Sequence, residues 1–187
     1  GCYAYNLALQ GGTGVRLSSA LGCSVRYNAV TSWRVNGVAD ISGIANSIVG
    51  NNVAFGYNSG YGGTVALYIS GASRDFVAQN RTNGGTFWGI VFGNGTLNSQ
   101  MQDNVIIGSE REAIHLAESE SENVVSGNYI NGNGTSIDYG MSITDDGINC
   151  STIFGNVIKG NQVIGAGLSG IALVQFGGTG LTIAQNI

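Results

Sequence analysis

The 187-residue chain contains no proline, one histidine and one lysine, and only 10% of its residues are charged. With a net charge of −4, it lacks the basic surface that binds nucleic acid or anionic lipid. No apolar run approaches the roughly 18 residues that a membrane-spanning helix needs. Low charge accompanies disorder when apolar residues are also scarce, but here 43% of the chain is hydrophobic. Cys2, Cys23 and Cys150 are odd in number and match no zinc-ligand spacing, so they read as buried free thiols.

What is abundant is glycine, 32 residues of it, with asparagine and serine set between short apolar runs. That texture suggests many strands joined by many turns, in a chain long enough for one domain with a sizeable core. The chain opens at Gly1 without Met or a signal peptide and closes at Ile187 inside a repeat. Both ends suggest a portion of a longer protein.

An internal repeat decides the architecture. The segments SVRYNAV, SIVGNNVAF, FVAQNRT, QMQDNVII, NVVSGNYI, TIFGNVI and LTIAQNI carry Asn28, Asn52, Asn80, Asn104, Asn128, Asn156 and Asn186, at steps of 24, 28, 24, 24, 28 and 30 residues. Three positions before each Asn stand Val25, Val49, Val77, Met101, Val125, Ile153 and Ile183, all apolar. Two positions after the first six stand Val30, Ala54, Thr82, Ile106, Ile130 and Ile158. A helix would put these two sets on different faces, whereas two short strands meeting at a bend turn both inward. Asn suits the bend because it tolerates left-handed backbone and can hydrogen-bond its neighbours.

A second motif precedes each Asn: GVRL, GVAD, ALYI, GIVF, AIHL, GMSI and GIAL. Its first inward residues are Val15, Val38, Leu67, Ile90, Ile114, Met141 and Ile171, and alternation continues to Leu17, Ile69, Phe92, Leu116, Ile143 and Leu173. Only Asp40 stands where an apolar residue is expected. Each coil thus reads strand, turn, strand, Asn bend, strand, turn, and stacked coils share one core. This G-I-x-L strand followed by N-x-I-x-x-N-x-I, running from Gly14 to Ile187, resembles the right-handed parallel β-helix superfamily of pectate-lyase-like enzymes and phage tailspikes. The resemblance implies an all-β solenoid of about seven to eight coils, with residues 1–187 forming a single domain.

On a solenoid, function gathers where the repeat is irregular. Extra residues fall in 56–64, 131–138 and 160–169, along one edge of the G-I-x-L strand. In the resembled family, such loops wall a groove where polysaccharide lies. Coils five and six hold more than half of the 11 acidic residues. Aligning Ile114 with Met141 stacks Arg111 on Asp138, Glu112 on Tyr139, His115 on Ser142 and Glu118 on Asp145.

Stacked coils lie about 4.8 Å apart, so the Glu118 and Asp145 carboxylates should repel and one should hold its proton more tightly. Such a pair supplies the acid and base of a retaining glycosidase. It could equally hold Ca²⁺, or be two solvated turn acids that point apart. His115, outward between Ile114 and Leu116, is either a surface residue or, with Tyr139, the base of a lyase or epimerase. Arg111, Glu112 and Asp146 would contact substrate, and Trp88 and Tyr68, with Trp33, Tyr57 and Tyr61, could form an aromatic track for sugar rings or pack at turns.

The expectation is a polysaccharide-binding or polysaccharide-processing β-helix, foremost a glycoside hydrolase without a cofactor. A polysaccharide lyase or epimerase, or a non-catalytic adhesin or spike stalk, is the alternative. An extracellular or virion-surface location follows from the resemblance. So does a homotrimer packed through Val91, Val105, Val157 and Ala172.

Overall fold

The computed structural model describes residues 3–4, 12–31, 33, 35–54, 64–83, 87–109, 111–117, 121–132, 137–144, 155–174 and 180–187; of these, the side chains of 3–4, 137–144, 167–169 and 173–174 are not described. The chain is a right-handed parallel β-helix whose described strands form three parallel sheets of seven. Sheet I holds Val15–Ser18, Asn36–Ile41, Val65–Ser70, Trp88–Gly93, Glu112–Ala117, Ile137–Thr144 and Ala166–Val174. Sheet II holds the strands before the Asn bend, from Ser24–Arg26 to Thr182–Ala184, and sheet III those after it, from Tyr3–Ala4 to Gln162–Ile164.

The Asn bend is a hydrogen-bonded ladder. The side chain of Asn28 donates to Asn51, Asn51 to Asn80, Asn80 to Asn104, Asn104 to Asn128, Asn128 to Asn161 and Asn161 to Asn186, each at 2.9–3.0 Å. Each acceptor oxygen also takes the backbone N–H of the Asn one coil earlier, as Asn104 takes that of Asn80 at 3.0 Å. The second amide hydrogen reaches a carbonyl of the preceding coil, that of Val77 for Asn104 at 3.0 Å. No other short side chain supplies two donors and an acceptor in this way, which is why Asn recurs. The left-handed backbone falls on the residue before it instead: Tyr27, Gly50, Gln79, Asp103, Gly127, Gly160 and Gln185 all have φ of 54–66°.

Two coils therefore differ from the sequence expectation. In the second, Asn51 rather than Asn52 enters the ladder, so Ile48 and Val53 replace Val49 and Ala54 in the inward columns. In the sixth, Asn161 replaces Asn156, so Ile158 takes the place assigned to Ile153, and Val163 the place assigned to Ile158. Asn156 belongs to a second ladder, ahead of sheet II. There Cys23, Asn46, Asp75, Ser99 and Asn123 donate their backbone N–H to the side chains of Asn46, Asp75, Ser99, Asn123 and Asn156 respectively, at 2.7–3.0 Å.

The corrected column Val25, Ile48, Val77, Met101, Val125 and Ile158 is buried. Full burial of a side chain such as Met101 contributes roughly 1.5–3 kcal/mol. Ile183, at the end of the column, is 43% exposed. One further expectation fails, since Cys23 is an exposed free thiol; of the two readings of Trp33, outer track or packing, its full burial in the core supports packing.

Sheet I carries a kink that determines what its outer face displays. Ala66 and Ala113 lie in the core, and a Cβ at Gly89 would lie 2.6 Å from the Ile106 side chain, so this position faces inward. The next residues, Leu67, Ile90 and Ile114, are core residues as well. Two successive inward residues break the alternation and turn the preceding position, which includes Trp88 and Glu112, onto the outer face.

Candidate functional site

The outer face of sheet I presents two adjoining columns. One runs Ala39, Tyr68, Val91, His115 and Ala172, and the other runs Val65, Trp88 and Glu112; in the backbone register Ser142 lies between His115 and Ala172, and Tyr139 and Ser169 follow Glu112. The expected pairing of Glu112 with Tyr139 and His115 with Ser142 is present in the strand register. Parallel pairing fixes these neighbours, so one strand's side chains sit beside the next with no loop in between.

Aromatic contacts join the columns. The Trp88 and His115 rings are 5.9 Å apart and tilted by 32°. Phe87 meets Trp88 edge-on at 4.6 Å, and the Arg111 guanidinium lies over the Phe87 ring at 5.1 Å. Glu112 is buried, with a carboxylate oxygen 3.9 Å from the Arg111 Nε. With Arg111 nearly half exposed, this pair adds under about 1 kcal/mol, so its value is in orientation. One coil earlier, the side-chain amide of Asn94 donates to the Tyr68 hydroxyl at 2.9 Å and to the Ser70 hydroxyl at 2.7 Å, holding the Tyr68 ring across the sheet.

Of the residues singled out in the sequence, Tyr68, Trp88, Arg111, Glu112 and His115 are thus brought together on one face. The backbone of Tyr139 is placed beside Glu112, while its side chain lies outside the described residues. Glu118, Asp145 and Asp146 also lie outside them, as do Tyr57 and Tyr61. Val91 and Ala172, expected as exposed trimer contacts, are only 5% and 9% exposed. Sequence reasoning missed Phe87 and Asn94. The Phe-Trp pair entering the strand was a readable signal for Phe87, but Asn94 is identified only by its partners.

The family model described as periplasmic copper-binding protein (NosD) matches residues 3–186, almost the whole chain. The chain belongs to the NosD family. No curated protein matches it. Among solved structures, this NosD-family helix is similar to a mutant of the periplasmic alginate epimerase AlgG, with a TM-score of 0.70 and 13% identity over 92% of this chain and 47% of that one. It is also similar to the alginate lyase of Paenibacillus sp. str. FPU-7, with a TM-score of 0.61 and 14% identity over 93% and 66%. The DFA-IIIase of Arthrobacter chlorophenolicus A6 aligns with a TM-score of 0.58 and 15% identity over 92% and 50%. The chain spans about half to two thirds of these proteins, and the likeness is one of fold.

The family description raises copper, which favours imidazole, thiolate and thioether ligands. The described side chains offer His115 against Trp88 on sheet I, Cys23 exposed near the start of sheet II, and Met101 fully buried in the core. Among the described residues, no three His, Cys, Asp or Glu side chains converge. These residues do not fit a copper centre.

Proposed function

We propose that this β-helix binds a polysaccharide along the outer face of sheet I and processes it there. The reading rests on one observation: Tyr68, Trp88 and His115 stand half-buried on three successive strands of one face, beside the Glu112 carboxylate. Ring faces stack on sugar rings, and a rigid sheet holds them at the spacing of its strands. The fold shared with an alginate epimerase, an alginate lyase and a DFA-IIIase supports a carbohydrate substrate. The periplasmic family description supports a location outside the cytoplasm.

For the chemistry, Glu118 and Asp145 act as acid and base in hydrolysis of a glycosidic bond, with Arg111, Glu112 and Asp146 orienting the chain. A second reading, favoured by the adjacent strands of His115 and Tyr139, is proton abstraction next to a uronate carboxylate, as in a lyase or epimerase. Incubation with a panel of bacterial and plant polysaccharides distinguishes them. New reducing ends without ultraviolet absorbance support hydrolysis, an unsaturated uronate product supports elimination, and the absence of any change in the polysaccharides contradicts an enzymatic role.

A further inference from the structure

Among the described residues, Asp40 and Asp75 are buried carboxyl groups away from the outer face of sheet I. Asp40 is on the inward face of sheet I, between Leu17 and Ile69 on the neighbouring strands, and is fully buried. Asp75, in the ladder ahead of sheet II, is 2% exposed. Asn46 holds them both. Its amide donates to Asp40 Oδ2 at 2.7 Å, and its backbone N–H donates to Asp75 Oδ1 at 2.9 Å. Each carboxyl then keeps one buried oxygen without a hydrogen-bond partner, Asp40 Oδ1 and Asp75 Oδ2. Gly43 makes room for the arrangement, because a Cβ there would run into Asp40 Oδ1 and the Asn46 amide.

Two unpartnered oxygens on facing acids are both satisfied by a single proton. We propose that Asp75 keeps its proton in the folded protein and donates it to the unpartnered oxygen of Asp40, an acid–carboxylate hydrogen bond that clamps the second and third coils and is lost as the solution passes from acid to neutral. Two negative charges in this dry site would each lack a compensating partner. No cation faces the pair among the described residues. Its ladder neighbours are Leu17, Ile69, Cys23, Asn46 and Ser99, of which only the exposed Cys23 titrates, and the adjacent Arg74 is exposed.

Burial, with Asp40 adding to it, pushes Asp75 up from an ordinary 3.8 to about 7, against the opposing pull of the Asn46 N–H. A folded-state value above the unfolded one gives stability that is complete below about 3.8 and lost as the pH rises through about 7. Across that window the folding equilibrium constant should fall by up to about tenfold per pH unit from this group.

The test is urea unfolding of the whole chain from about pH 5 to about pH 8, for wild type and Asp75→Asn. The Asn variant keeps an oxygen for the Asn46 N–H and offers Asp40 an amide donor, copying the protonated state. Stability of the wild type should fall with pH while that of Asp75→Asn stays flat, and parallel curves for the two would overturn the proposal. If the variant does not fold, infrared titration of the wild type decides. A protonated carboxylic-acid band at about pH 6 that fades by about pH 8 supports the proton on Asp75, and its absence at the lower pH overturns it. Stabilisation by millimolar Ca²⁺ in that range, without such a band, would make the pair a cation site and would also overturn it.

Discussion

Asn104 and Asn128, one coil apart, are joined through their side-chain amides at 3.0 Å, and Asn104 also accepts the backbone N–H and the amide of Asn80. Each side chain in the column is therefore satisfied only because the next coil is in place. Replacing Asn104 with Leu should leave the Asn80 donors and the Val77 carbonyl unpaired in a buried site. The expected cost is roughly 3–5 kcal/mol, from several orphaned groups at about 1–3 kcal/mol each. A denaturant midpoint unchanged from wild type would contradict this role for the ladder.

The strand parity can be tested with two adjacent valines. Val125 is 1% exposed and faces the core, and Val124 before it is half-buried on the other face. Val125→Asp should abolish folding, since it buries a charge with no partner. Val124→Asp should stay within about 1 kcal/mol of wild type. Circular dichroism of the two variants reads the difference, and similar behaviour would place the face wrongly.

Gly89 tests the kink in sheet I. Its would-be Cβ meets Ile106 at 2.6 Å and the Ala113 carbonyl closer still. Gly89→Ala should cost about 1–3 kcal/mol by overpacking, although Ala itself occupies the equivalent positions 66 and 113. A variant as stable as wild type would show that the neighbouring coil yields without strain.

Much of this architecture was legible in the sequence because the Asn ladder and the apolar columns are local and repeat in register. The errors arose where local signals were duplicated. Asn51 and Asn52 stand side by side, and a shift of one residue exchanges strand faces, yet Val49 is also buried at 7%, so apolar content alone did not expose the slip. Asn156 was misassigned because both bends ahead of and behind sheet II select Asn for the same hydrogen-bonding reason. Asp40 was visible as a breach of the pattern. Its partner Asp75 was not, since their meeting depends on a bend register that spans two coils. For Trp33 the sequence leaves an outer track and packing both open, and only its complete burial decides for packing, in a core wide enough to take an indole.

The two chemical readings make separable predictions about turnover. If hydrolysis is right, Glu118→Gln and Asp145→Asn each lose about a hundredfold or more in kcat, while His115→Ala retains most activity. If proton abstraction is right, His115→Ala carries the large loss and the two carboxylate variants do not. Initial rates on the polysaccharide that the wild type transforms decide between them. Full activity in all three variants would remove every one of these residues from the chemistry.

The placement of glycan on the outer face of sheet I is tested most directly by titrating wild type and a Tyr68→Ala/Trp88→Ala variant with polysaccharides from the same bacterial and plant panel. Stacking that contributes about 0.7–1.4 kcal/mol per ring implies affinity weakened by roughly tenfold to a hundredfold in the double variant, with the unfolding midpoint little changed. Equal affinity in the two proteins, or no binding of any panel member by the wild type, would contradict a sugar-binding face at this sheet.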